Sequence, residues 1–357
     1  MGIGVFDHPW TSGLFADEAM LDVWSADRTL SYMCAFESSW SRALGVAGLV
    51  DAAIAEKAAL AIEFASIDMP LLKSGMARDG VPIPSLVHQL KAVTDECAVH
   101  VGATSQDVMD TSLVMVLRDT SDLIATRLSL LIEALHNVEK QFGDQALMGR
   151  TRMQAATLIT VRDRLLSWRL PLESHEDRLV ECRTRVERVQ IGGASGDRAA
   201  LGDHAGVIVS HVAKSLNLTS TDKAWHAMRE SIVDYASFLS LVTGSLGKLG
   251  QDVALMAQQG IDDITVSGCG GSSAMAHKQN PVLAELLITL ARFNAVQVSG
   301  MHQSLVHEQE RSGAAWSLEW MLLPQMAQAT GRALSAALEL VNNIQSLGHE
   351  RPGSDKE

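Results

Sequence analysis

This sequence of 357 residues has few aromatic residues, and that shortage bears first on the class of fold. It contains seven Phe, seven Trp and two Tyr, although 47% of the chain is hydrophobic. Aromatic and β-branched residues favour strands, whereas the plentiful Ala, Leu, Met, Gln and Glu favour helices. The hydrophobic fraction is large enough to fill a substantial core. The composition therefore predicts a globular, α-rich protein.

Further shortages exclude whole classes of protein. Basic residues number 29 against 42 acidic ones, so the net charge of −13 argues against nucleic-acid binding and leaves any anionic substrate to a few local cations. No uninterrupted apolar stretch reaches the roughly 18 residues that span a bilayer, and the N-terminus lacks a signal-peptide pattern. We therefore expect a cytoplasmic protein that contacts no membrane. Neither a zinc site nor a disulfide framework is indicated, because the cysteines are few and far apart, namely Cys34, Cys97, Cys182 and Cys269.

The interval 105–142 is the most regular part of the chain, because its 38 residues include no Gly or Pro. Mostly apolar residues recur in it at spacings of three and four, at Leu113, Leu117, Thr120, Ile124, Leu128, Leu131, Leu135 and Val138. This spacing predicts one amphipathic helix, about 57 Å long at 1.5 Å per residue. A helix of that length needs packing partners along its whole length.

Two more long helices are predicted. One covers 223–258 with Asp222 as its N-cap, and the other starts after Asn280-Pro281, with Asn280 as N-cap and Pro281 in the first helical position. Glycine and proline clusters predict loops between the helices, at 75–84, 143–149, 192–196 and 268–271. Because each long helix would expose more than one apolar face, the pattern alone predicts a homo-oligomer.

The same pattern suggests a division into domains. Residues 1–103 carry shorter helical patterns and form an expected N-terminal helical domain, which is followed by a central long-helix bundle domain at 104–345. Residues 346–357 form a residual tail, and from Gly348 onward this tail is polar and expected to fray.

The segment 268–281 is the most informative for chemistry. Three glycines precede Ser272 and Ser273, and Lys278 and Asn280 lie just before a predicted helix start. Backbone N–H groups and a helix N-terminus favour an anion, so the segment fits an anion site with a nucleophile or base. A flexible linker leading to an N-capped helix is an equal alternative on these grounds. The segment is not a phosphate-binding P-loop, because its glycine and lysine spacing differs.

Other polar segments are weaker candidates. Thr104 or Ser105 caps the longest helix, and the same hydroxyl and N–H groups can bind a carboxylate. Arg150 and Arg152 follow Gly149, and Arg311 precedes Gly313, so these cations lie next to chain breakers. Solvated surface charge is the simpler interpretation of each arginine.

Taken together and in this order, the segments resemble signatures of the fumarase/aspartase superfamily. The superfamily patterns T-S-x-D, G-R-T-x-x-Q and G-S-S-x-M-x-x-K-x-N match residues 104–107, 149–154 and 271–280. The resemblance extends from about residue 14 to residue 346. Further details are similar to the cycloisomerase branch of that superfamily: His100 before the first motif, Trp225-His226 before Arg229, and the run His307 to Arg311 before Trp316 and Glu319-Trp320.

The resemblance implies an architecture. It predicts an all-α protomer of three domains whose central helices form the twenty-helix core of a homotetramer. Active sites in this superfamily are shared between subunits, each being built from three of them. Because the sequence stops at residue 357, most of the family's C-terminal domain is expected to be absent.

It also implies a chemistry, namely reversible addition across a carbon–carbon double bond conjugated to a carboxylate, through a carbanion. In the cycloisomerase branch, the substrate's own distal carboxylate adds and a lactone forms, with no metal and no organic cofactor. The substrate is then a small polycarboxylate. The resemblance assigns Ser272 as the proton-exchanging group and Lys278 as its catalytic partner. The implied substrate ligands are Thr104, Ser105, Gln106, Arg150, Gln154, Ser273, Asn280 and Arg311.

Three positions depart from the superfamily pattern. Arg152 stands where related lyases carry a histidine, Leu158 replaces a proline, and Ala276 replaces a proline of the signature loop. An arginine cannot exchange protons at neutral pH, so the second acid/base is unassigned. A fumarate-releasing lyase such as adenylosuccinate lyase and a catalytically inactive helical bundle are the alternatives. Within the cycloisomerase branch, charge alone does not distinguish a substrate with a third carboxylate from one with a sulfonate.

Overall fold

The computed structural model describes residues 3–268, 270–271, 275 and 279–350. In this described part, the chain forms twelve α-helices: α1 Ser12–Phe15, α2 Glu18–Val23, α3 Ala26–Val46, α4 Ala52–Glu63, α5 Met69–Asp79, α6 Ile83–Lys91, α7 Ser105–Phe142, α8 Val161–Val186, α9 Ala205–Ser215, α10 Glu230–Met256, α11 Val282–Gln303 and α12 Gly313–Asn342. Two short 3₁₀ segments are Glu96–Ala98 and Ala199–His204. The strands are short: β1 Ala146–Thr151, β2 Gln154–Thr160, β3 Ile264–Val266 and β4 Ile344–Leu347. The all-α prediction is confirmed.

The longest helix, α7, has the predicted bounds, Ser105–Phe142, and Thr104 is its N-cap. Seven of the eight residues in its predicted stripe are buried, and the eighth, Leu113, is half-buried. Thr120 is the polar member of the stripe, and its hydroxyl is satisfied by Val116 O and by the indole N–H of Trp24. The helical period of the sequence therefore predicts both the element and its buried face.

Five long helices, α7, α8, α10, α11 and α12, pack into one bundle with a continuous apolar core. Helix α10 contacts α8, α11 and α12. Two of its glycines allow α11 to approach closely: a Cβ at Gly247 would lie 2.5 Å from Ala291 Cβ, and one at Gly250 would lie 2.6 Å from the carbonyl oxygen of Ala284. The bundle is the rigid frame from which the polar segments project.

A second apolar core joins the N-terminal helices to a later part of the chain. Phe36 and Trp40 of α3 stack within it, with ring centroids 5.6 Å apart. Residues 189–216, which include α9, pack into the same core, as does Val108 of α7. This second core therefore combines residues that precede α7 in the sequence with residues that follow it. The three-domain division of the sequence stays a prediction.

Helix α10 begins at Glu230, so the predicted start at Lys223 is wrong. The residues before it form a turn in which Met228 N donates to Trp225 O. Trp225, His226 and Arg229 are all buried there and bind polar groups from other elements. These long-range contacts override a local helical pattern.

Helix α11 begins at Val282, so the prediction that Asn280 caps it is also wrong. The backbone of Asn280 pairs with that of Gly270 in both directions, at 3.0 and 2.8 Å, and Pro281 occupies the N-cap position. A residue held in such a bridge cannot cap the helix. The bridge instead joins the two ends of the predicted signature loop.

By length and composition, α11 could cross a membrane. Among the described residues, it is the only helix of which this is true. Glu285 and Arg292 interrupt its apolar sequence, and it packs against both α10 and α12. Leu286, Leu287 and Leu290 are buried in the bundle. We therefore assign α11 to the bundle core.

The predicted loops at 75–84 and 143–149 contain regular structure. Residues 75–79 form the last part of helix α5. The helix ends only at Gly80, which is its C-cap in the left-handed conformation, with φ of 73°. Strand β1 begins at Ala146, and the β1–β2 hairpin was not predicted. The predicted fraying from Gly348 is wrong for the first residues of the tail, since Gly348 N donates to Asp263 O and His349 pairs with Ala146.

Candidate active site

The predicted site residues lie at the two ends of α7. Thr104, Ser105 and Gln106 are at its start, whereas Arg150 and Gln154 are on the β1–β2 hairpin that follows its last residue. A helix of 38 residues is about 57 Å long. The two groups cannot contact one small substrate within a single protomer.

Arg311 is held against the start of α7 by hydrogen bonds from its guanidinium group. Nη1 donates to Thr104 Oγ1 at 3.1 Å, and Nη2 donates to the carbonyl oxygens of Ala194 at 3.0 Å and Gly193 at 3.3 Å. Its Nε is buried and has no partner among the described residues. The structure therefore brings together two predicted ligands, Thr104 and Arg311, that are 207 positions apart in the sequence.

Asp107 anchors the start of α7 to the glycine-rich segment 192–196. Its carboxylate accepts from Thr104 N at 3.0 Å, from Gly192 N at 2.8 Å and from Gly193 N at 2.9 Å. Its Oδ1 also lies 2.8 Å from Nε2 of His226. Because the side chain is fully buried, these bonds fix the helix start and the glycine segment as one rigid unit.

Gln106 is buried inside the protomer. Its Nε2 donates to Asp110 Oδ2 and to His226 O, both at 3.0 Å. Its Oε1 has no partner among the described residues, and neither has Nδ1 of His226. Ser105, the first residue of the helix, is half-buried. In this protomer the Gln106 amide nitrogen is therefore committed to protein acceptors, whereas Thr104 and Ser105 lie nearer the surface.

A buried ion network lies behind this helix start. Arg229 binds Asp110 at 2.7 and 3.1 Å and Glu319 at 2.9 Å, and all three side chains are almost fully buried. The Trp316 indole N–H donates to Asp110 Oδ1 at 3.1 Å. Burial disfavours the charge of Arg229, but the two carboxylates outweigh it and hold the pKa of the guanidinium above its ordinary value.

Two further histidines lie close to buried carboxylates. His307 has no exposed side-chain surface, and its Nε2 lies 3.9 Å from Glu319 Oε1. His100 has a left-handed backbone, with φ of 59°, and its Nδ1 contacts the buried carboxylate of Glu37. Burial opposes protonation of His100, but the hydrogen bond and charge of Glu37 raise its pKa above the ordinary value.

At the opposite end of α7, Arg150 links the hairpin to the segment before β3. Nη1 donates to Asp263 Oδ2 at 2.8 Å and to Met148 O at 3.3 Å, and Asp263 is buried. Gln154 is exposed and pairs with Thr151 at the tip of the hairpin. The tip is a two-residue turn of Arg152 and Met153, both with positive φ.

The described residues that flank the signature segment lie at the same end of the bundle as the hairpin. Strand β3 leads into it, and Asp263, next to β3, binds both Arg150 and His349. The bridge between Gly270 and Asn280 closes its base. The predicted catalytic residues Ser272 and Lys278, and the predicted ligand Ser273, lie outside the described residues.

The sequence interpretation missed the buried groups that support the site. Asp107 and Asp110 fit the first turns of a helix as favourable acidic residues, but each also binds a group more than 80 positions away in the chain, Gly192 N and Arg229 respectively. In the sequence, Arg229 and Glu319 were noted only as features similar to the cycloisomerase branch. At Glu319, a charge in an otherwise apolar stretch of sequence was an available signal, since a buried charge requires a partner.

Comparison with known proteins gives matches over nearly the whole chain. A family model described as a lyase matches residues 18–300. The 3-carboxy-cis,cis-muconate cycloisomerase of Acinetobacter baylyi is 34% identical over 347 residues, which cover 94% of this chain and 76% of that protein.

Solved structures match in the same way. The 3-carboxy-cis,cis-muconate lactonizing enzyme from Pseudomonas putida is 36% identical with a TM-score of 0.88, and the match covers 95% of this chain and 77% of that one. Fumarate lyase from Mesorhizobium sp. BNC1 is 30% identical with a TM-score of 0.87, covering 93% of this chain and 76% of that one. The similarity is therefore one of fold and sequence together.

Proposed function

Because this chain belongs to the lyase family whose model matches residues 18–300, we propose that it converts 3-carboxy-cis,cis-muconate into 4-carboxymuconolactone. The observation that carries this proposal is the similarity over more than nine-tenths of the chain to a cycloisomerase and a lactonizing enzyme of this substrate. The reaction belongs to the β-ketoadipate pathway of aromatic degradation. A cytoplasmic location is part of the same proposal.

The reaction is an isomerisation. A distal carboxylate oxygen of the substrate bonds to a carbon of the double bond, and the displaced electron pair spreads into the carboxylate conjugated with that bond. A proton then bonds to the carbon next to this carboxylate, so nothing is released. Such a path requires one proton donor at carbon and fixed positive groups at the carboxylate oxygens.

Ser272 exchanges the proton in this proposal, and Lys278 stabilises its anion. Support comes from the signature motif itself, in which glycines precede and a lysine follows a serine whose hydroxyl is otherwise a poor base. Ser273 and Asn280 bind substrate carboxylate from the same segment. The bridge at Asn280 supports this role, because it fixes where the segment leaves the bundle.

The other end of α7 supplies further substrate ligands in this proposal. Thr104 and Ser105 contribute hydroxyl and backbone N–H groups, and Arg311 contributes charge. Gln106, whose amide nitrogen is bound to Asp110 and His226, positions the helix start. The 3.1 Å contact between Arg311 and Thr104 supports their acting together on one carboxylate. Arg150 and Gln154 act from the hairpin end. An essentially trianionic substrate requires many such donors.

The complete enzyme is a homotetramer with shared active sites. The ligands at the start of α7 and those on the hairpin are about 57 Å apart in one protomer. They can meet at one substrate only if the start of α7 in one subunit lies next to the hairpin of another subunit, which supports the proposed assembly. Apolar exposure supports it too, since each bundle helix carries a large apolar residue that is at least 45% exposed in the single protomer: Leu130, Val180, Leu241, Val296 and Met321.

The test is the ultraviolet absorbance of 3-carboxy-cis,cis-muconate mixed with the purified tetramer. Lactonisation removes the conjugated diene, so the proposal predicts rapid loss of its absorbance and a lactone as the product by NMR. An unchanged spectrum overturns the proposal. Adenylosuccinate and argininosuccinate then serve as substrates, because release of fumarate from either would identify the lyase alternative.

A further inference from the structure

A cavity of 460 Å³ lies between the tip of the β1–β2 hairpin, the start of α8 and the second half of α10. Four cationic side chains line it, although the chain as a whole is strongly acidic. They are Arg150, Arg152, Arg164 and Lys248. The cavity is therefore a local region of positive charge at the hairpin end of the predicted active site.

Three of these cations have partners on the cavity wall. Arg150 pairs with Asp263 at 2.8 Å, and Lys248 pairs with Asp252. Arg164 lies 4.0 Å from the same Asp252. The cavity thus holds four positive and two negative side chains, so two positive charges are uncompensated by the carboxylates that line it.

Arg152 makes no hydrogen bond or ion pair with any described residue. It is the first residue of the two-residue turn between β1 and β2, with φ of 50°, and Met153 follows with φ of 65°. Such a turn favours Asn, Asp or Gly, because longer L-residues are strained at positive φ. Met153 is 72% exposed, so apolar packing does not offset that strain. The turn therefore presents a guanidinium at the cavity at a conformational cost.

We propose that Arg152 binds the 3-carboxylate of the substrate and so selects a tricarboxylate over a dicarboxylate. This inference rests on the proposed function. Arg150 is already neutralised by Asp263, whereas Arg152 has all its donors available in a planar fork that suits a carboxylate. The other proposed ligands, at Thr104, Arg311 and the signature segment, serve the two carboxylates that every muconate carries.

The experiment compares two ligands that differ by one carboxylate. We measure KM for 3-carboxy-cis,cis-muconate and the inhibition constant of cis,cis-muconate, in the wild-type tetramer and in Arg152→Gln. The variant is expected to raise KM about 10- to 100-fold and to change the inhibition constant less than about twofold. Arg152→Lys keeps the positive charge but lacks the planar guanidinium. Its KM is expected to lie between those of the wild type and Arg152→Gln.

Arg162→Gln is the matched control. It removes the same charge near the base of the hairpin, but Arg162 is exposed, pairs with Glu139 at 3.0 Å and does not line the cavity. Both constants are expected to stay at wild-type values. Equal losses for both ligands in Arg152→Gln would place Arg152 on a shared carboxylate, and no loss would remove it from the site. Either outcome overturns the inference.

If the wild-type protein does not lactonise 3-carboxy-cis,cis-muconate, the proposed function is wrong, and the inference about Arg152 is tested by binding alone. Calorimetric titration with propane-1,2,3-tricarboxylate and with inorganic sulfate then decides the inference. Weaker tricarboxylate binding in Arg152→Gln, with no binding of sulfate, supports a carboxylate subsite. Unchanged tricarboxylate binding, or equal binding of sulfate, overturns it.

Discussion

At the scale of single residues, Arg229 shows how the buried interior supports a polar site. It binds Asp110 of α7 and Glu319 of α12 where neither carboxylate reaches solvent. Asp110 follows Thr104 by six positions, and Glu319 follows Arg311 by eight, so the network fixes the two elements that carry the predicted ligands. Loss of the arginine would leave two buried charges uncompensated, which is more costly than loss of an exposed ion pair.

His175 provides a pH-dependent prediction. Burial between α8 and α10, together with the charge of Arg178, lowers its pKa from 6.5 to about 4. Between these values the unfolded chain binds a proton that the folded chain does not, so stability falls as pH falls from 6.5 toward 4. The expected contribution is at most about 3 kcal/mol per subunit, since one pKa unit corresponds to 1.36 kcal/mol.

The measurement is the urea midpoint of the purified protein at fixed concentration, from pH 7 to pH 4.5, for the wild type and His175→Gln. Glutamine can retain the contact that His175 Nε2 makes with Ser245 Oγ at 2.9 Å, but it does not titrate. The midpoint of the variant is expected to depend less on pH than that of the wild type. Parallel curves would contradict a lowered pKa at His175.

Sequence reasoning identified the half-buried polar residues at the ends of elements better than the fully buried ones. Thr104 and Arg311 stood beside a helix start and a chain breaker, and the structure brings them into contact. Asp107 and Asp110 were interpreted only as acids at a helix N-terminus. Their partners come from distant segments, such as Arg229, and a pairing across 119 positions leaves no local pattern. Long-range pairing is the physical reason for this difference.

At the scale of elements, periodicity predicted α7 but misplaced the starts of α10 and α11. Helix α7 has an apolar stripe throughout and packs along its length, so local pattern and tertiary contacts agree. Before α10, the buried side chains of Trp225 and Arg229 require a turn instead. The hairpin also escaped prediction, because its turn carries Arg152 and Met153 rather than the residues that usually mark one.

The close approach of α10 and α11 gives a prediction at this scale. In Gly250→Ala, the new Cβ would lie 2.6 Å from Ala284 O and 2.8 Å from Leu287 Cβ, both on α11. The helices must separate, so we expect a loss of about 1–3 kcal/mol in stability despite the better helix propensity of alanine.

Urea unfolding of the purified protein measures this loss, and Gly206→Ala in α9 is the control. A Cβ at Gly206 meets no atom within 4 Å, so that variant is expected to keep or slightly raise the urea midpoint. Equal stability of the Gly250 and Gly206 variants would show that the bundle does not depend on the glycine contact.

At the scale of the whole molecule, the length of α7 bears on the proposed sharing of active sites between subunits. The proposed ligands at its start and those at the hairpin lie too far apart in one protomer for a small substrate, and each bundle helix exposes apolar surface. A sequence pattern can indicate such exposed faces, as it did here, but it cannot tell which subunit faces which, because that depends on the shape of the assembled surface.

Mixed tetramers test the sharing of sites. Ser272→Ala and Arg311→Ala are each expected to be inactive, but co-refolded equal mixtures should recover about one quarter of wild-type activity, because some sites receive both intact residues from different subunits. Thr104→Ala with Arg311→Ala is the control. Since those residues lie together in one subunit, that mixture should recover nothing. Recovery in neither mixture would place Ser272 and Arg311 in the same subunit at each site.

The most direct measurement of the central claim is the pair of constants kcat and KM for Ser272→Ala with 3-carboxy-cis,cis-muconate, followed by loss of diene absorbance. If Ser272 exchanges the proton, kcat falls about 100- to 10,000-fold while KM stays within a few-fold of the wild-type value and the tetramer persists. Ser74→Ala, an exposed serine on α5, should change neither constant. An unchanged kcat in Ser272→Ala, or a change confined to KM, would contradict the proposed role of this serine.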